Sequence, residues 1–205
     1  MNALLLLMGG SGSRFGGSTP KQFLELEHEG VVRPLFEVTA RKLLAALPID
    51  IAIFVSPKNS AGSAVLNPIL DQLAVDFAGR EFKYAAAGAT RYGSFLSGMN
   101  ALGRIKDVQS VMVHDANRPY LSAEYLQRVG DHLANLSPEA PAYIPVIPVV
   151  DSIVRIDGDR VVTYENRAEL SRVQTPQLLH YDSYNEAVTR ALSRGQAAMD
   201  FTDEG

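Results

Sequence analysis

Five apolar residues in a row, Leu4-Leu5-Leu6-Leu7-Met8, run directly into Gly9-Gly10-Ser11-Gly12-Ser13. A strand with no polar alternation must be covered on both faces, which predicts the central strand of a parallel sheet. The run is too short to span a bilayer. It also lacks the basic lead-in and cleavage site of a secretory signal, so we expect a buried strand rather than a leader. Glycines placed directly after such a strand let backbone N–H groups approach a phosphate with no Cβ in the way. Two familiar versions of this loop are excluded. Phe15 stands where the dinucleotide fingerprint needs its third glycine, and no Gly-Lys-Ser/Thr follows.

The rest of the chain repeats the alternation. Phe36, Ala40, Leu43, Leu44 and Leu47 recur at helical spacing after Pro34, and Pro48 ends that helix. Ile49–Val55 reads as a second strand, Phe82–Ala87 as a third and Val108–Val113 as a fourth. Helical stripes lie between them: Val65, Leu66, Ile69, Leu70, Leu73 and Phe77 with Pro68 early, then Ser94–Leu102. Ser122 is placed to cap a helix carrying Tyr125, Leu126, Val129 and Leu133. Repeated βα units predict an α/β fold: a mostly parallel, Rossmann-like nucleotide-binding sheet with helices on both faces. Ile153–Ile156 and Arg160–Tyr164 flank an Asp-Gly turn and read as a hairpin that interrupts this rhythm. It is either a projecting arm that pairs with a second subunit or an ordinary antiparallel edge. Tyr181–Arg194 reads as a last helix.

The chain has 205 residues, which suits one domain over 1–205 with an excursion at 143–173. A net charge of −4 argues against a nucleic-acid partner, which needs a basic face. Cysteine is absent, which removes thiolate nucleophiles and cysteine-held metals. No stretch is long enough for a membrane span, and we expect a cytoplasmic protein.

Four segments carry chemistry. The first is the glycine loop Met8–Gln22, where Gly9, Gly10, Ser11, Gly12 and Ser13 offer backbone and Arg14 and Lys21 offer the charge a polyphosphate needs. A linking loop with solvated charges is the competing reading. The second is Val113–Pro119, where Asp115 follows an apolar strand and Arg118 can counter a phosphate. Such an aspartate can hold Mg²⁺ or orient a ribose, or it can simply cap a turn. His114 points the other way and reads as a packed histidine. The third is Gly88-Ala89-Thr90-Arg91-Tyr92-Gly93-Ser94, a glycine turn in which Ser94 caps a helix or meets a ligand. The fourth holds Asp151-Ser152, Arg167 and Gln174-Thr175-Pro176-Gln177. Arg167 sits just past the hairpin, so its target can lie across a subunit boundary.

Together these segments resemble the cytidylyltransferase family that includes 2-C-methyl-D-erythritol 4-phosphate cytidylyltransferase and ribitol-5-phosphate cytidylyltransferase. The carrying residues are Gly10-Ser11-Gly12-Ser13-Arg14, Pro20-Lys21-Gln22-Phe23, Arg91 with Ser94, His114-Asp115, Arg118-Pro119, Asp151-Ser152-Ile153, Thr175-Pro176-Gln177 and Phe201-Thr202-Asp203-Glu204. The resemblance implies transfer of CMP from CTP to a polyol phosphate, with Mg²⁺ as cofactor and release of pyrophosphate. The acceptor most in keeping with it is 2-C-methyl-D-erythritol 4-phosphate of the non-mevalonate isoprenoid route. Ribitol 5-phosphate or another polyol phosphate is the alternative, and a noncatalytic nucleotide-binding homologue is the alternative of another class. It further implies a homodimer joined through the β-arm. Arg14 and Lys21 match positions that grip the triphosphate. Gly88, Ala89, Arg91 and Ser94 match a segment near the base, and Asp115 with Ala116 the nucleotide. Asp115, Arg118, Ser152, Arg167 and Thr175 match acceptor positions. Arg14, Lys21 and Arg167 are the catalytic candidates, and Asp115 and Asp203 the metal candidates. The chain departs from the family pattern at Met8-Gly9, Phe15, Asn117 and Ser152, and Glu25–Pro34 is longer than the turn expected there.

Overall fold

The computed structural model describes residues 1–9, 20–57 and 60–193. The apolar opening forms β1 (Asn2–Leu7), and the glycines begin where it ends. After a 3-10 turn at Lys21–Phe23 come β2 (Glu25–His28), β3 (Val31–Pro34) and α1 (Leu35–Ala46). Then follow β4 (Ile51–Ser56), α2 (Ser60–Asp76), β5 (Glu81–Ala86), α3 (Arg91–Leu102), β6 (Ser110–Asp115) and α4 (Ala123–Ala134). The last part holds β7 (Ala142–Tyr143), β8 (Val146–Pro148), β9 (Ile153–Asp157), β10 (Arg160–Glu165), β11 (Ser171–Val173), β12 (Gln177–His180) and α5 (Tyr181–Ser193).

The main sheet has the order β5-β4-β1-β6-β12-β7. β5, β4, β1 and β6 run parallel, with Leu6 of β1 opposite both Phe54 and His114. The chain moves outward from β1 to β4 and β5, then returns to lay β6 on the other side of β1. The direction of winding therefore switches between β1 and β6. In sheets of this kind such a switch point is where a ligand site lies, at the carboxyl ends of the strands.

Strand geometry explains the two layers. Successive side chains of β1 point to opposite faces. Leu4, Leu6 and Met8 join Phe36, Leu43 and Leu44 of α1, Leu66 and Leu73 of α2, and Leu126, Val129 and Leu133 of α4. Ala3, Leu5 and Leu7 join Met99 and Leu102 of α3, with Tyr181 and Tyr184 of α5 packed alongside. Each fully buried leucine contributes on the order of 2 kcal/mol, so a single uninterrupted apolar strand anchors both layers at once.

Three features differ from the sequence reading. Glu25–Pro34 folds as a hairpin through Glu29 and Gly30, both at positive φ (55° and 74°), the geometry of a tight primed turn. α2 begins at Ser60, so Pro68 lies inside it. Pro68 is exposed, which leaves water to satisfy the carbonyl that loses its partner. β12 pairs antiparallel with β6 and carries β7 on its outer side, extending the sheet beyond its parallel core. Between β7 and β12 the chain forms two separate ladders, β9 with β10 and β8 with β11.

Candidate functional site

The crevice at the β1–β6 switch is built from the ends of three strands. Gly9 leaves β1 so close to the β5–α3 turn that a Cβ there would lie 2.7 Å from Oγ of Ser94. That turn is itself compact. A Cβ on Gly88 would meet the Gly93 carbonyl carbon at 2.5 Å, so only glycine fits. Ser94 is buried, and its hydroxyl donates to the Thr90 carbonyl while accepting the Gly88 N–H. Thr90, rather than Ser94, caps α3, by accepting the Gly93 N–H at 2.9 Å. Ser94 thus shapes the loop that carries Gly88 and Ala89.

The turn that carries Lys21 is tied to the end of β1 through its neighbour. Gln22 is buried, and its amide donates to the Met8 carbonyl at 2.6 Å. This pins the 3-10 turn against the end of β1. Phe23 completes the anchor by packing edge-on against Phe36, with ring centroids 5.6 Å apart.

Asp115 ends β6 and points to the α3 face. Nε of Arg91 lies 2.9 Å from its Oδ1, and Nε of Arg118 lies 3.0 Å from its Oδ2. One carboxylate so holds two guanidinium groups at the mouth of the crevice, leaving the trio with a net positive charge. Arg118 also donates to Gln174 at 2.8 Å. Thr175, buried beside it, has its hydroxyl 3.5 Å from the Asp115 N–H, and Tyr125 donates to the Thr175 carbonyl at 3.3 Å.

His114, one residue earlier, faces the opposite layer and is fully buried. Burial pushes its pKa down to about 4, so the ring is neutral near pH 7. Its Nε2 lies 3.2 Å from the Arg118 carbonyl. Thr39 of α1 reaches the same turn, with its hydroxyl 2.8 Å from the Ala116 carbonyl.

The structure therefore brings Gly9, Lys21, Gly88, Ala89, Arg91, Ser94, Asp115, Ala116, Arg118 and Thr175 to one end of the sheet. Ser152 lies just before β9 and Arg167 in a 3-10 turn between β10 and β11, where Arg167 donates to the Val150 carbonyl at 2.7 Å. Gly10, Ser11, Gly12, Ser13, Arg14 and Asp203 lie outside the described residues. The sequence reading overlooked Gln22, Thr39 and Tyr125. A usable signal existed for Thr39, a polar residue flanking the apolar stripe of α1. Among the described residues, no group of three or more His, Asp or Glu side chains could hold a metal ion. Asp115 alone fits Mg²⁺ only as one oxygen donor to an ion whose other ligands are phosphate and water.

The family model for IspD, 2-C-methyl-D-erythritol 4-phosphate cytidylyltransferase, matches residues 3–205. The chain belongs to this family. A 2-C-methyl-D-erythritol 4-phosphate cytidylyltransferase of Corynebacterium efficiens is 36% identical over 84% of the chain and 66% of its own length. A bifunctional enzyme IspD/IspF of Solidesulfovibrio magneticus is 35% identical over 84% of the chain but only 42% of its own length. The chain thus spans less than two thirds of either relative. The fold agrees with the solved 4-diphosphocytidyl-2C-methyl-D-erythritol synthase of Anaerococcus prevotii, with a TM-score of 0.70 at 23% identity. That match covers 98% of this chain and 80% of that one. Within the IspD family, then, the crevice lined by Gly9, Lys21, Asp115 and the two arginines is the candidate nucleotide site.

Proposed function

We propose that the chain transfers CMP from CTP to 2-C-methyl-D-erythritol 4-phosphate, releasing pyrophosphate. The observation that carries this reading is that Arg91 and Arg118 both meet Asp115 at the end of β6, next to the end of β1 where Gln22 pins the turn that carries Lys21. An acceptor phosphate oxygen attacks the α-phosphorus in line, and the bond to pyrophosphate breaks. Both reactants are anions, and two unit charges 4 Å apart repel by about 4 kcal/mol at an effective dielectric of 20. The residues of the site therefore act by placing positive charge and fixing geometry, with no covalent intermediate.

In this reading Lys21 and Arg14 hold the triphosphate and stabilise charge on the leaving pyrophosphate. Backbone N–H groups of Gly9–Ser13 take up phosphate oxygens. Gly88, Ala89, Arg91 and Ser94 shape the wall for the base, and Asp115 with Ala116 faces the nucleotide. Arg118 and Thr175 meet the acceptor, joined by Ser152 and Arg167 from the arm of a second copy. Asp115 is the described residue that would hold Mg²⁺, which would supply positive charge against the phosphate oxygens.

The arm supports a homodimer. Val146, Ile147, Ile156, Val161, Val162 and Tyr164 are all exposed on its two ladders. Exposed apolar side chains gathered on one excursion are what a covering subunit would bury. No helix among the described residues is long and apolar enough to cross a membrane. With cysteine absent, we place the enzyme in the cytoplasm. The test is pyrophosphate release from CTP and Mg²⁺ with a panel of polyol phosphates. Release with 2-C-methyl-D-erythritol 4-phosphate well above ribitol 5-phosphate is expected, and the reverse order would overturn the acceptor assignment.

A further inference from the structure

The turn that carries Asp115 and Arg118 is clamped from below. Its Ala116 N–H donates to the Leu7 carbonyl at 3.0 Å, and its Arg118 N–H closes on the Asp115 carbonyl at 3.1 Å. Two further carbonyls of the turn are met by buried side chains, Ala116 by Thr39, whose hydroxyl also lies 2.9 Å from the Leu35 carbonyl, and Arg118 by His114. A carbonyl only accepts, so the His114 proton is on Nε2 and Nδ1 is left as an acceptor. Nδ1 is buried with no hydrogen-bond partner among the described residues. An apolar side chain of similar size would fill this place in the core without desolvating a ring nitrogen. The bond to Arg118 is the one described return for burying an imidazole there.

We infer that His114 is a positioning residue: it fixes the Arg118 carbonyl and thereby aims the Arg118 guanidinium at the acceptor phosphate. This rests on the reading of Arg118 as an acceptor contact. Strand alternation gives the device its form. Asp115 faces the α3 layer and meets Arg91, while His114 faces the α1 layer and holds the same turn from the other side. The ligand is a phosphate monoester dianion, and the effect should fall on it and spare the nucleoside triphosphate.

The test is a double-mutant cycle on the full chain, read as kcat/KM for the acceptor and separately as KM for CTP. His114→Leu should lower acceptor kcat/KM by roughly tenfold, and should lower it further by less than about twofold when Arg118 is already Ala, because coupled residues are non-additive. CTP KM should stay within about twofold in His114→Leu, since an interaction with one substrate reports on that substrate. His114→Gln, whose amide N–H can reach the same carbonyl, should recover most of the loss. A His114→Leu penalty of equal size with and without Arg118 would overturn the inference, as would a parallel rise in both KM values that Gln fails to rescue. A wild-type chain that turns over while the cycle is additive would defeat the role of His114 alone. A wild-type chain that releases no pyrophosphate would defeat the functional reading and this inference with it.

Discussion

Lys21 and Gln22 are neighbours with opposite environments. Gln22 is buried and spends its amide on the end of β1, which holds Lys21 where the glycine loop starts. In the proposed reaction the charge of Lys21 would act on the triphosphate held at that end of the sheet. Lys21→Ala should lower turnover by about 10²-fold or more, the scale of losing one donor to developing charge. Its melting temperature should fall by only the few degrees that a loss of about 1 kcal/mol produces in a chain of this size. Steady-state kinetics and a melting curve on the same preparation check both halves, and near-normal pyrophosphate release would show that Lys21 sits on the wrong ligand. Of these two residues, Lys21 was legible in the sequence, because a lysine following a glycine loop has a charge to account for. Gln22 was not, since nothing in one sequence says which glutamine will be buried.

Elements set the walls of the site by how closely they pack. The β5–α3 turn approaches itself within the radius of a methyl group at Gly88. Gly88→Ala must push the Gly93 backbone aside, which overpacking data put at about 1–3 kcal/mol. Calorimetric titration should therefore show weaker CTP binding together with a lower melting temperature; unchanged CTP affinity would place the base elsewhere. α3 is tied in turn to α5, where the Phe95 and Tyr184 rings meet edge-on with centroids 5.5 Å apart. Burial, with Tyr92 beside it, pushes the Tyr184 phenol up to about 12 from an ordinary 10. The folded state holds that proton more tightly than the unfolded one. The associated stability is present below pH 10 and is lost as pH rises through 12. Tyr184→Phe should lose less stability than wild type between those limits, as read by chemical denaturation at stepped pH. An identical pH profile would contradict the assignment. The element types in this region were legible from helical and strand periodicity. The start of α3 at Arg91, three residues before Ser94, was not, because Thr90 and Ser94 are both good cap residues and only the backbone decides between them.

At the scale of the whole molecule, the open question is what covers the arm. Its ladders are two-stranded, and isolated two-stranded ribbons are marginal in water unless a further surface packs on them. Ile156 and Val162 are 63% and 60% exposed, so replacing both with Asp should leave the isolated fold intact. We expect sedimentation equilibrium to show a dimer for wild type and a monomer for the Ile156→Asp, Val162→Asp variant. The monomer should bind CTP but lose most acceptor turnover, because Arg167 would no longer reach a partner's site. A wild-type monomer with full activity would refute the shared site.

The sequence by itself determined the parallel α/β core. An apolar run with no alternation can be satisfied only by cover on both faces, and helices of the right length lie between the strands to provide it. It also determined that the first strand would end at glycine, with Gly9 leaving β1. The tertiary structure decided everything that depends on strand order. Whether β6 lies beside β1 or beyond β5 is invisible to local periodicity, yet that choice creates the crevice and brings Asp115 to the Gly9 end of the sheet. β12 entered the sheet because β6 offered a free edge, and no short run such as Gln177–His180 announces which edge it will meet. The clamps on the Asp115–Arg118 turn come from Thr39 and His114, 77 and 4 residues away from the groups they hold. The Thr39 partnership is chosen by packing in three dimensions, which a pattern with a reach of a few residues cannot encode.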